Sequence, residues 1–313
     1  MKRKAQVLII FLWILTLLAI MTVSLGNRIS MVSKFTQTRR DLLKASYLAY
    51  AGINRGIAEL KQDNPNYDGL TETWANNEDK FAKIQVTDNP EEYATIKNET
   101  GKFGMIDEER KININQASKE LLAALLEFYN ITPAQEITDN ILIWRTDIVP
   151  DNNEIYKNLG YPRKTKPFAN IAELMLVKGM EKEDFNKISK IITVYGDGKI
   201  NINTASQEVI EILCLEIARK KYDEQTAKQY AKKVAEEFIA LRNSVSVFKA
   251  RTEIISKLNE ADGVSVFDEF KNTNEIKSDH FLIEVSANTG KIKTRVAAVY
   301  NRSKNYIESW YEG

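Results

Sequence analysis

The sequence predicts an α+β chain: a long N-terminal helix packed on an antiparallel sheet, with a large all-α domain inserted between the strands. Three observations predict it. An uncharged apolar run over residues 5–26 continues, without proline, into an amphipathic stretch that ends near residue 62. Two near-identical segments, KININQAS (111–118) and KININTAS (199–206), lie 88 positions apart, and each opens a helical run. Segments of alternating apolar and polar residues flank those helices on both sides.

The first element is set by its composition. About 20 apolar residues span a bilayer as a helix, and residues 6–26 meet that length without a charge. Lys2, Arg3 and Lys4 precede the run, which favours a cytoplasmic N-terminus and a single pass, although Arg28, Lys34, Arg39 and Arg40 follow it. A secretory signal has a shorter apolar core followed by a polar mature start. Here helical sequence simply continues: Ala49, Ile53, Gly56, Ile57 and Leu60 recur at helical spacing over residues 27–62. Asp63, Asn64, Pro65 and Asn66 then break the chain. One helix over residues 6–62 is roughly 85 Å long at 1.5 Å per residue.

Charge and rare residues narrow the chemistry. The 44 basic and 43 acidic residues leave a net charge of +1, so no global field draws nucleic acid or acidic lipid. One cysteine, Cys214, forbids an internal disulfide, and its apolar surroundings make it a small buried hydrophobe. One histidine, His280, stands just before a predicted strand. A zinc site or a Ser/His or Cys/His pair has almost nothing to draw on, and the chain is read as a non-enzyme.

The central region, residues 113–275, reads as helical. The leading Ile–Asn alternation of each repeat makes a short extended stub, and polar residues after it cap the helix. In the second copy Thr204 and Gln207 fit a capping box; in the first, Asn115 is the expected cap. Thr132 and Pro133 have the order of an N-cap and first-turn proline, opening a helix that runs to Trp144. Phe185, Ile188, Ile191 and Ile192 continue a helical pattern, and residues 225–242 form a charged helix with Tyr230, Val234, Phe238 and Leu241 as its stripe. Such stubs also open helix-hairpin-helix (SAM-like) units, so DNA binding is the rival reading. A DNA-binding hairpin needs glycines between its helices, and the connections after both repeats have none; only Gly179 is suitably placed.

Strands flank the insert. Residues 81–112 form the first part of the sheet, with Ile84 and Val86 alternating and 102–106 extended. Residues 280–313 complete it: Phe281, Ile283 and Val285 alternate, Asn288, Thr289 and Gly290 turn the chain, and segments 293–300 and 304–311 follow. A sheet this small must pack on the stripe around Ile53 and Ile57.

These features resemble the type IV pilin-like superfamily, and within it the K-type minor pseudopilins of type II secretion systems. The carriers are the basic leader 1–5 before an acid-free anchor, the repeat pair, Pro167 and Phe168, Ile171 to Leu174, Val177 to Met180, ITVYGDGK at 192–199 and IKSDHF at 276–281. The resemblance implies a pilin-like fold in the bacterial inner membrane with the body in the periplasm. It implies I- and J-type minor pseudopilins and a prepilin peptidase as partners, and no nucleic acid. The peptidase site falls between Ala5 and Gln6, with Ala5 where the family usually has Gly. Ile10 occupies the fifth mature position, where most pilins carry Glu. An intramembrane carboxylate is kept where it pairs with a neighbouring subunit, so its absence fits a tip subunit with no such neighbour above it.

No cofactor is required on this reading. Calcium is the one candidate ligand, because Asp147, Asp151 and Glu154 offer several oxygens from one acidic loop. Asp107, Glu108 and Glu109 are read as a solvated turn, and Tyr300, Tyr306, Trp310 and Tyr311 as sheet packing. The competing functions are a membrane-tethered helix-hairpin-helix DNA-uptake protein and a minor pilin of a type IV pilus.

Overall fold

The computed structural model describes residues 2–146, 156, 160–250, 252, 253 and 274–313, with side chains from residue 6 onward. The first helix, α1 (Lys2–Gln62), is unbroken over 61 residues, roughly 90 Å. It stops where predicted: the side chain of Asn64 accepts from the backbone N–H of Asn66 (3.1 Å) and folds the chain into the Pro65 turn.

A short helix, α2 (Glu78–Phe81), leads into β1 (Glu92–Ile96) and β2 (Ile106–Asp107). A 3-10 turn, Glu108–Arg110, then joins the sheet to the insert. The insert comprises β3 (Ile112–Asn113), α3 (Lys119–Phe128), α4 (Ala134–Arg145), a 3-10 segment (Ile171–Leu176), α5 (Lys182–Ile188), β4 (Ile192–Thr193), β5 (Ile200–Asn201), α6 (Gln207–Ala218), α7 (Glu224–Val245) and β6 (Asn274–Glu275). The chain returns to the sheet as β7 (His280–Thr289), β8 (Lys293–Asn301) and β9 (Tyr306–Glu312).

The sheet is antiparallel, in the order β1-β7-β8-β9, and β2 shares the β1 flank of β7. Its inner face packs on the predicted stripe of α1: Ala45, Leu48, Ala49, Ile53 and Leu60 are buried with Ala94, Ile96, Phe281, Ile283 and Val285. Gly52 and Gly56 let the sheet approach closely. A Cβ at Gly52 would meet Val285 Cγ1 at 2.6 Å, and one at Gly56 would meet Ile283 Cγ2 at 3.0 Å. A separate core fills the insert, built on Leu122, Leu125, Ile210, Leu213, Val234 and Phe238.

Several details differ from the expectations. Only Ile106 of the 102–106 segment joins the sheet, followed by Asp107, because the earlier residues bond the 74–77 loop (Met105 N–H to Trp74 O, 2.9 Å; Asn77 N–H to Phe103 O, 2.6 Å). Ile84 makes one bridge, to Ala94, while Val86 is exposed; the strand itself is EYATI at 92–96. The insert is not wholly helical. Ile192 ends in β4 rather than in a helix, pairing parallel with Ile112, and Ile200 pairs parallel with Asn274. Caps also move. Ser118 and Ser206, one step before each helix, accept from Leu121 and Val209 N–H (3.0 and 3.4 Å), in place of Asn115 and Thr204. Pro133 is the N-cap of α4, where Thr132 was expected, and it offers no side-chain acceptor.

Candidate assembly surfaces and the insert junction

A helix that buries one face against a sheet leaves the opposite face to something else. At roughly 100° per residue, Ala45, Ala49, Gly52 and Gly56 point to the sheet, whereas Ile29, Thr36, Leu43 and Tyr50 recur every seven residues on the far side. Val32 and Tyr47 lie beside them, and all six are exposed, Tyr47 by 75%. A seven-residue apolar repeat is the seam of a helix that packs along another helix. Thr36, Arg39 and Arg40 interrupt the apolar row between Val32 and Leu43, and below Val32 it runs into the exposed apolar residues of the 6–26 run, the one helical stretch among the described residues long and apolar enough to cross a membrane. Trp310 of β9 extends the surface sideways, its ring 5.8 Å from that of Tyr50.

The insert is a duplicated unit, and its asparagines are structural. Asn115 bonds Phe168 through both N–H and C=O (2.7 and 2.9 Å), and Asn203 does the same to Phe248 (3.0 and 2.9 Å). Arg145 donates to the carbonyls of Ile114 and Ala117; Arg242 donates to Ile202 and Ala205, the matching positions of the second copy. Each guanidinium thereby fixes the joint between stub and helix. Burial pulls Arg242 down to about 10, with Arg110 adding to the effect. The basic residues of the second connection are committed to acids: Arg219 to Glu127 and Glu224, and Lys220 to Glu216 (3.7 Å). They do not offer a free phosphate-binding row.

Insert and sheet meet at the acidic run, which is not a solvated turn: Asp107, Glu108 and Glu109 are all buried. Asp107 Oδ2 accepts from Asn201 Nδ2 (3.0 Å), Thr204 Oγ1 (2.5 Å) and Ser278 Oγ (2.6 Å), and Oδ1 accepts from Glu109 N–H (2.8 Å). Burial, then the neighbouring charge of Glu109, pushes its carboxyl up to about 6. Glu108 takes Lys111 Nζ (2.6 Å) and Thr193 Oγ1 (2.7 Å). Beside them Arg302 forks onto Asp68 (3.0 and 2.7 Å). Burial pushes Asp68 up to about 7, yet the same contact raises Arg302; the two-point geometry favours the charged pair. Polar side chains from the loop after α1, both repeats and the sheet thus converge on one joint.

A family model described as type II secretion system (T2SS), protein K matches residues 99–197, the stretch that runs from this joint through the first repeat. A curated relative, type II secretion system protein K of Klebsiella pneumoniae, is 22% identical over 230 residues, covering 68% of this chain and 69% of the relative. Both matches make this chain similar to type II secretion protein K over those stretches. Its fold is shared with a chain of the GspK-GspI-GspJ complex from the enterotoxigenic Escherichia coli type 2 secretion system: TM-score 0.66 at 12% identity, covering 89% of this chain and 99% of that one.

Ala5 and Gln6 lie within α1. Asp147, Asp151 and Glu154 lie outside the described residues. Cys214 is buried in α6, and burial raises its thiol, so it is a packing residue. Tyr300 packs in the sheet as expected, whereas Tyr306, Trp310 and Tyr311 stay partly exposed on the edge strand β9, Trp310 against Tyr50 on one face and Tyr311 against Tyr195 on the other. Asp63, Asp68 and Glu72 also approach one another, but Arg302 forks onto Asp68, while Glu72 accepts from Gly69 N–H and Trp74 Nε1 (2.7 and 3.0 Å). Sequence reasoning missed Arg145, Arg242, Phe168 and Phe248 as partners of the repeats. Nothing marks them locally, because their bonds span from 28 to 53 positions.

Proposed function

We propose that this chain is the minor pseudopilin that stands at the tip of a type II secretion pseudopilus, anchored once in the inner membrane with its body in the periplasm. The reading is carried by the exposed face of α1, apolar through the membrane run to Val32 and again at Leu43, Tyr47 and Tyr50, with Thr36, Arg39 and Arg40 between. Only a partner that is itself a long membrane-anchored helix can cover such a seam along its whole length. The I- and J-type minor pseudopilins fit that description, and a relative of this fold was solved together with GspI and GspJ. Binding is docking, without bond chemistry. The helices zip along the seam, and the insert adds bulk above the rod. The 6–26 run carries no carboxylate, so the subunit needs no neighbour above it to neutralise one.

Deleting the gene is expected to abolish export of type II substrates into the medium, and a plasmid copy is expected to restore it. Undiminished export from the deletion strain contradicts the reading.

A further inference from the structure

The function above leaves one group at the joint without a role: the chain's single histidine. His280 opens β7, and its ring is 12% exposed at the side chain. On one side Nδ1 lies 2.6 Å from Oε1 of Glu109, in the 3-10 turn that enters the insert. On the other, Nε2 lies 2.9 Å from Asn301 Nδ2 of β8 and 3.4 Å from Glu308 Oε1 of β9. Tyr195, which follows β4 in the insert, stacks on the ring at 6.2 Å and 25°, and its hydroxyl reaches Ser309 (2.8 Å) and Tyr311 (3.0 Å) of β9. The imidazole is therefore held between the two halves of the molecule.

The geometry distinguishes two protonation states. In the neutral ring Nδ1–H donates to Glu109, and Nε2 accepts from the Asn301 amide. In the charged ring Nε2 must donate, which the Asn301 N–H cannot receive, so Glu308 becomes the acceptor. Asn301 Nδ2 keeps a partner, since it too lies 2.9 Å from Glu308 Oε1. One proton thus exchanges a contact within the sheet for a cation gripped by two carboxylates, one from each half. The site is tightly built on the insert side as well. Gly196 has φ +86°, and a Cβ there would meet Glu109 Cγ at 2.9 Å.

We propose that His280 is a pH-dependent clasp between insert and sheet, closed by the imidazolium ion and loosened when the ring is neutral. Other charges line the same polar cleft of about 620 Å³: Asp197 and Lys199 from the loop after β4, Glu275 from β6, Lys277 and Asp279 from the connector, and Lys304 from the β8–β9 turn. Asp197 is paired with Lys199 (3.4 Å). Glu109 and Glu308 are the two carboxylates in direct contact with the ring. Burial opposes the charge, but the hydrogen bond and charge of Glu109, reinforced by Glu308, outweigh it and hold the ring above its usual 6.5. The clasp contribution is thus complete below about 6.5 and disappears as pH rises through the native value. Loss of the clasp leaves the insert attached through Asp107 and Arg302, but looser at the His280 edge.

A single histidine makes the test direct. In the full chain in detergent micelles, labelled imidazole nitrogens are followed by NMR from pH 5 to 9, alongside amide exchange at Asp279, whose N–H donates to Glu109 (3.1 Å). The expected midpoint lies above 6.5, and the neutral ring carries its proton on Nδ1. After correction for intrinsic rate, protection at Asp279 falls about tenfold for each unit between that midpoint and 6.5. In His280→Gln this pH-dependent loss disappears, and the comparison removes any contribution from the other titratable groups at the joint. A midpoint at or below 6.5, or wild-type protection that ignores the titration, overturns the clasp; both are read on the wild-type chain and need no variant to fold.

Discussion

Asp107 illustrates how placement decides what a carboxylate does. Three acids in a row before a stretch rich in lysine and asparagine read as a solvated turn. Their burial comes from two segments that the local sequence does not name, the second repeat and the return to β7. Asp107→Asn puts an amide donor among groups that already donate, and is expected to cost about 1–3 kcal/mol in denaturant unfolding. Its ionised form is disfavoured by burial, so its contribution is largest below pH 3.8 and declines as pH rises to about 6. The variant should flatten stability over that window; an unchanged slope contradicts this account. At Gly52 the reasoning is steric. Gly52→Val drives a branched side chain into Val285, and a loss of about 1–3 kcal/mol, read as a lower thermal midpoint, is expected.

Among the elements, α1 was the most legible, because periodicity and length are local properties. Its buried stripe and its stop at Pro65 both follow from residues close in sequence. The repeat was visible as two stubs, yet what the stubs hold was not: the Asn–Phe clamps and the Arg145 and Arg242 forks depend on long-range packing. Short β3–β6 pairs were hidden for the same reason, since two-residue ladders carry no periodicity. The exposed face of α1 is open to substitution without touching the core. Leu43 and Tyr47 are 61% and 75% exposed, so with Leu43→Asp and Tyr47→Asp unfolding of the isolated chain should move by less than about 0.5 kcal/mol, while export should be lost. Normal export from this variant would remove the seam from the account. The peptidase expectation also belongs to this element: mass spectrometry of the native chain should find Gln6 first, and retention of Lys2 to Lys4 would count against processing.

The whole molecule is a rod with two cores, one between α1 and the sheet and one inside the duplicated insert, joined by a buried polar hub. Apolar packing keeps each core together, whereas hydrogen-bonded carboxylates set how the two are joined. The most direct test of the docking claim places a photoreactive phenylalanine analogue at Tyr47, or at exposed Val86 as a control, in membranes containing the I- and J-type subunits. Adducts to an I- or J-type helix from position 47 and none from position 86 are predicted. Equal labelling from both positions, or no adduct at Tyr47 while the subunits are present and export is active, would contradict it.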